Sequence, residues 1–142
     1  MQKIIIDTNV LVSSLIQRSY PYLIIGKIFD SRNIEVCISD ELFEEYLNVL
    51  NRKKFRKFPD FVTNAQALLL DIERHAKKYI PEIKLDIISD EDDNKLLELA
   101  ETSGADFLIT GNHNDFTMNA YKTTKIVTPK EYWEEVMMKN NA

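Results

Sequence analysis

Lys3-Ile4-Ile5-Ile6-Asp7-Thr8-Asn9, "KIIIDTN", runs from an unbroken apolar triplet straight into a carboxylate. A short β-branched run without polar alternation suits a strand buried on both faces, the habit of parallel sheets. Asp-Thr-Asn then stops the run, which sets Asp7 at a carboxyl end. Three further runs have the same character: "IEVCI" (34–38), "DFLIT" (106–110) and "TKIVT" (124–128). Between them lie helical patterns. Val10 to Ile16 and Tyr22 to Phe29 carry helix-like spacing, with Pro21 at a first-turn position. Ser39 or Asp40 caps a helix bearing Leu42, Phe43, Tyr46, Leu47 and Leu50. Pro59 opens a long helix through Ala76 that ends before Pro81, "SDEDDNKLLELAETSG" forms a helix closed by Gly104, and Pro129 starts a last one. Buried strands separated by helices predict an α/β fold, a three-layer α/β/α sandwich around a mainly parallel sheet of four to five strands. In such folds ligands bind beyond the carboxyl ends of the strands.

The whole chain agrees with that class. Its 142 residues are about one domain's length, and 44% apolar content with only 3 Gly and 4 Pro excludes a disordered or low-complexity protein. The apolar start is interrupted at Asp7, too early for a signal peptide or membrane span, so a soluble, cytoplasmic protein is expected. The single cysteine, Cys37, lies within an apolar run and reads as a buried, inert thiol. A net charge of −5 disfavours a general polyanion binder, although Arg52 to Phe58 ("RKKFRKF") holds five cations in its first six residues. The bland reading of that run is a solvated helix end.

Position sorts the acids. Asp7 and Asp115 follow apolar strands and stand at carboxyl ends, whereas Asp106 precedes "FLIT" and is a structural turn residue at the opposite edge. Within "SDEDDNK" (89–95) helical phase divides four consecutive acids. Asp90 or Ser89 suits the cap, Glu91 falls outward, and Asp92 borders the apolar stripe. Asp93, in step with Leu96, Leu97 and Ala100, points inward. A buried carboxylate needs a partner, because isolated burial drives it to neutralise. On the preceding helix Glu41 is outward, and period alone leaves Glu44 and Glu45 both open. If Asp7, one of these glutamates, Asp93 and Asp115 converge, two like charges about 4 Å apart repel by roughly 4 kcal/mol at an effective dielectric near 20. A divalent cation relieves this, and an all-oxygen set without a Cys/His cluster selects Mg2+ or Mn2+. Such an ion serves displacement at phosphorus.

These residues resemble a known family. "IIIDTNVLVSSL", "ISDELFEEYLNVLNRKKF" and "DEDDNKLLELAETSGADFLITGN" with a following "DF" are similar to the PIN domain, particularly bacterial PIN proteins catalogued as toxins of toxin–antitoxin pairs. The resemblance covers nearly the whole chain and implies one PIN-like domain over 1–138, and the closing "KNNA" at 139–142 is expected to fray. It implies the FLAP-nuclease type of fold, with acids that bind Mg2+ or Mn2+ to hydrolyse single-stranded RNA. Carried over by position, Asp7 is the first-strand acid, Glu45 matches the spacing E-x-x-x-V-L, Asp93 is the third, and the fourth falls after "LIT", where Asp115 stands. Metal would be held by Asp7, Asp93 and Asp115, with Glu45 ligating directly or through water. Thr8, Asn9, Ser39, Thr110 and Asn112 are supporting residues. Arg52, Lys53, Lys54 and His113 are expected RNA contacts, with Phe55 more a core residue than a stacking surface. A homodimer and a small antitoxin partner are implied by the resemblance alone. Many PIN domains carry Asp two residues after that Thr, where this chain has Asn112, and Asp115 lies one residue later than usual. An amide ligates without adding charge, so the alternative is a non-catalytic PIN-like protein-binding module with a weakened or vestigial metal site. Phosphoryl-transfer folds with one Asp after the first strand fit less well: position 9 is Asn, a paired acid is missing, and no Gly-rich phosphate loop exists.

Overall fold

Ile4, Ile5 and Ile6 are each at most 1% exposed. Their strand, β1 (Gln2–Ile6), is therefore walled on every side. The computed structural model describes residues 1–112, 116 and 118–140. In it the chain follows the order β1, α1 (Thr8–Ile16), α2 (Tyr20–Ile28), β2 (Ile34–Ile38), α3 (Asp40–Leu50), a 3-10 turn (Lys53–Phe55), α4 (Phe61–His75), β3 (Lys77–Lys78) and α5 (Glu91–Ser103). It continues through β4 (Phe107–Ile109), β5 (Ala120–Tyr121) and β6 (Thr124–Val127). The C-terminal helix comprises α6 (Pro129–Glu131), a π-helical stretch (Tyr132–Met137) and α7 (Met138–Asn140).

The six strands lie in the order β3-β2-β1-β4-β6-β5. All neighbours are parallel except β5 and β6. In register, Ile4 faces both Val36 of β2 and Phe107 of β4, so β1 forms the sheet's centre. Helices cover this sheet as an α/β/α sandwich, and α5 contacts β1, β2 and β5. The core joins the strand residues to Leu11, Ile24, Leu97, Leu99 and Tyr132. A smaller cluster of Leu50, Phe61 and Ala65, with Phe55 and Phe58 against it, packs beside α1 and α4.

The four strands legible as apolar runs make the parallel centre, and two additional two-residue strands bring the sheet to six. Neither addition carries a buried apolar signature: both residues of β3 are exposed lysines. Each pairs with the outer edge of its neighbour, β3 with β2 and β5 with β6. Several boundaries also move. The helix after β1 starts at Thr8, directly on Asp7, because Asp7 keeps extended backbone while Thr8 is already helical. The cationic run is a 3-10 turn rather than a helix end, and α4 begins only after Asp60, which is left-handed at φ 60°. Gly104 ends α5 at φ 68°, a conformation that favours glycine. Asp106 accepts from the Lys3 amide at 2.8 Å, tying β4 to β1 at the amino edge. Asn140 still belongs to a helical turn, and residues 141–142 lie outside the described set.

Strand order reverses direction between β1 and β4. This is the switch point beyond whose carboxyl ends α/β folds place ligands. Because β1 lies at the centre, Ile5→Ala is expected to cost about 2–5 kcal/mol of unfolding free energy, while exposed Glu91→Ala changes it by less than about 0.5 kcal/mol. Urea titration of both variants measures the contrast.

Candidate active site

The switch point is lined by side chains from four elements. Asp7 ends β1, Glu45 projects from the middle of α3, Asp93 sits in the first turn of α5, and Thr110 follows β4. Asp7 is buried, at 7% exposure, and its Oδ2 accepts from Thr110 Oγ1 at 2.8 Å and from Asn9 Nδ2 at 3.3 Å. Thr8 Oγ1 donates to Glu45 Oε2, so adjacent residues of the α1 start hold both acids. Burial, reinforced by the Glu45 charge, pushes the Asp7 carboxyl up from 3.8 to about 6, against the lowering effect of the Thr110, Thr8 and Asn9 hydrogen bonds. Asp7 is thus a carboxylate that its surroundings only partly support.

The start of α5 separates its acids as helical phase requires. Asp90 is the cap and accepts from the amides of Asp92 at 2.8 Å and Asp93 at 3.4 Å. Glu91 is exposed, and Asp92 is exposed and paired with Lys95 at 3.1 Å. Asp93 is buried at 7% exposure. Asp7, Glu45, Asp90, Asp92 and Asp93 line one cleft of about 410 Å3 with Thr8, Asn9, Arg52, Phe55 and Asn112. Glu44 is exposed and opens instead onto an adjoining depression with Glu41 and Lys95.

The remaining sequence-derived candidates divide. Asn9 bridges α1 and the segment after β4, since its Oδ1 accepts from the Gly111 amide at 3.0 Å. Thr110 Oγ1 both donates to Asp7 and accepts from the Asn112 amide at 3.0 Å. Ser39 lies apart from the cleft; it is buried as the cap of α3 and accepts from the Leu42 amide at 3.1 Å. Lys53 and Lys54 are exposed on the 3-10 turn but are not among the cleft-lining residues, whereas Arg52 is. Phe55 both lines the cleft and stacks on Phe61, with centroids 5.1 Å apart. Asp115 and His113 lie outside the described residues.

Three supporting residues escape a reading by polarity. Tyr46, taken for a member of the apolar stripe, is fully buried and donates its hydroxyl to the Ile6 carbonyl at 2.5 Å. Asn94 Oδ1 accepts from the amides of Ile87 and Ile88, both at 3.1 Å, and its Nδ2 donates to the Ile88 carbonyl at 2.7 Å. One helical turn on, Glu98 accepts from the Leu85 amide at 2.8 Å. These two buried groups bind the irregular segment before α5 to the helix that carries Asp93. Their i, i+4 spacing beside the apolar stripe is the signal that reveals them.

Chemically, the described donors are all hard oxygens, the set that suits Mg2+ or Mn2+ rather than zinc. A cation beside Asp7 would reverse the penalty that now raises its pKa. Among the described residues no three Asp, Glu, His or Cys side chains come together closely enough to hold a metal ion by themselves. The oxygen chemistry of these donors fits such an ion.

Comparison with known proteins bears on this geometry. A family profile described as "PIN domain" matches residues 3–114. An uncharacterized protein of Methanocaldococcus jannaschii (MJ1680) is 30% identical over 142 residues, covering 94% of this chain and 90% of its own. No helix among the described residues is long and apolar enough to cross a membrane.

The raised Asp7 carboxyl has a consequence for stability. A group whose folded pKa lies above its unfolded value binds its proton more tightly when folded, so stability falls as pH rises from about 4 to about 6. Moving the carboxyl from 3.8 to about 6 corresponds to about 3 kcal/mol. In chelator-treated protein Asp7→Asn is expected to be more stable than wild type at neutral pH by up to that amount, and equal to it below about pH 4. Thermal unfolding across this range checks it, and added Mn2+ should stabilise wild type but not the variant.

Proposed function

The chain belongs to the PIN domain family, whose members are generally nucleases using divalent metal ions, and on that premise we propose that it is a Mg2+- or Mn2+-dependent endoribonuclease of single-stranded RNA. It acts in the cytoplasm as the toxin of a toxin–antitoxin pair, as a homodimer restrained by a small antitoxin protein. One observation carries the catalytic reading: a buried Asp7 next to Glu45, in the same cleft as buried Asp93, at the switch point of the sheet.

Asp7, Asp93 and Asp115 would hold the ion, with Glu45 ligating directly or through water. When bound, the ion supplies charge neutralisation at the phosphodiester and a lower pKa for an attacking water. The protein's own groups do the positioning. Thr8 fixes Glu45 through one oxygen, which leaves the other to orient the nucleophile. Thr110 and Asn9 fix the Asp7 carboxylate through Oδ2. Arg52, on the cleft wall, contacts the substrate's phosphate backbone, with Lys53, Lys54 and His113 as further contacts.

A second reading is favoured by the exposed amide of Asn112 and by the lack of a three-acid cluster among the described residues. It is a non-catalytic protein-binding module that keeps the cleft without its chemistry. Cleavage of fluorescent RNA oligonucleotides in Mg2+ or Mn2+ decides between them. The nuclease reading expects wild type to cut, chelator to stop it, and Asp7→Asn and Asp93→Asn each to lose at least about tenfold to hundredfold. Equal activity in all three proteins sinks it, and absent cleavage together with absent Mn2+ binding favours the module.

A further inference from the structure

Arg52, Lys53, Lys54, Arg56 and Lys57 are all exposed, and no described ion pair involves any of them. On a chain of net charge −5 they form a concentrated positive surface. Consecutive tight turns hold it in place. The Phe55 amide donates to the Arg52 carbonyl at 3.2 Å, Arg56 to Lys53 at 3.1 Å, Phe58 to Phe55 at 3.1 Å and Phe61 to Phe58 at 3.2 Å. Phe55 and Phe58 turn inward against Leu50, Phe61 and Ala65, so the cations are left on the outside. The surface starts at the cleft itself, since Arg52 and Phe55 line it.

We propose that this turn is a phosphate track: it grips the backbone of single-stranded RNA outside the cleft by charge alone, without reading bases, and Arg56 and Lys57 are its outer contacts. The proposal rests on the ribonuclease reading above and extends it to how substrate is held. Base stacking needs free aromatic faces, and amide readout of adenine needs free amides. Here the Phe55 ring is stacked on Phe61, and the ammonium groups of Lys54 and Lys57 lie over Phe55 and Phe58 at 5.2 and 5.4 Å. The neighbouring amide, Asn51, is engaged with the Leu47 carbonyl at 2.7 Å. What remains outward is positive charge on flexible stems, which suits phosphate. A strand held here extends past the cleft wall, so very short oligonucleotides should be poor substrates.

The test measures binding in the full chain carrying Asp7→Asn, which blocks turnover. Fluorescence anisotropy with oligo(U) and oligo(A) of about twelve nucleotides, from about 50 to 300 mM salt, gives the slope of log affinity against log salt. Each single-strand phosphate contact contributes about −0.7, so four or five cations give a slope of about −3, and adding Arg56→Ala with Lys57→Ala makes it shallower by about 1.4. Affinity should fall equally for both oligomers. An unchanged slope overturns the proposal, as does a changed U-to-A affinity ratio or a failure of the Asp7→Asn protein to bind either oligomer. Wild-type cleavage of the same oligomers is scored apart: the expected slopes without cleavage sink the nuclease reading alone, and cleavage with unchanged slopes sinks the track alone.

Discussion

Everything at this site follows from placing a carboxylate at the end of a strand that has no solvent face. Three isoleucines commit β1 to the centre of the sheet, and the next residue is charged. Burial of such a group is costly unless hydrogen bonds or a counter-charge offset it. Thr110 and Asn9 meet part of that demand, and Glu45 increases it. The site is therefore held in tension by the fold. On the nuclease reading proposed above, stability and function pull on Asp7 in opposite directions.

That tension explains how the elements are arranged. Thr8 and Asn9 begin α1 directly behind Asp7, so the same short stretch supplies the acid and two of the groups that organise its surroundings. Asn9 also accepts from Gly111 at close range, and a Cβ at position 111 would meet Asn9 Oδ1 at 3.1 Å. Glycine there lets the segment after β4 lie close to α1. On the other wall, Asn94 and Glu98 secure the irregular chain ahead of α5, which keeps the first turn of that helix, and with it Asp93, in place.

Much of this was legible before any coordinates. Apolar runs located the four central strands, because burial on both faces leaves an unambiguous composition. Helical phase separates Asp93 from Asp92 and Glu91, because Asp93 is in step with buried Leu96, Leu97 and Ala100. The same method could not separate Glu44 from Glu45, which flank the stripe of α3 on either side; geometry gives Glu45 the contact with Thr8 and leaves Glu44 exposed. Edge strands β3 and β5 were invisible, since two residues carry no period. The resemblance places Ser39 among the supporting residues, whereas in the fold its hydroxyl oxygen accepts from the Leu42 amide as the cap of α3. Tyr46 passed for a hydrophobe because most of its surface is one.

Tyr46 also ties α3 to the end of β1 behind the site. Its hydroxyl bonds the carbonyl of Ile6, so residues adjacent in sequence to Glu45 and Asp7 are joined by a link of 2.5 Å. Complete burial, with the charges of Asp7 and Glu45 adding to it, holds the phenol's pKa well above its ordinary value. This strut therefore keeps its proton throughout the range in which Asp7 titrates. The backbones beside the two acids are thus joined by a bond that stays neutral while Asp7 changes its charge.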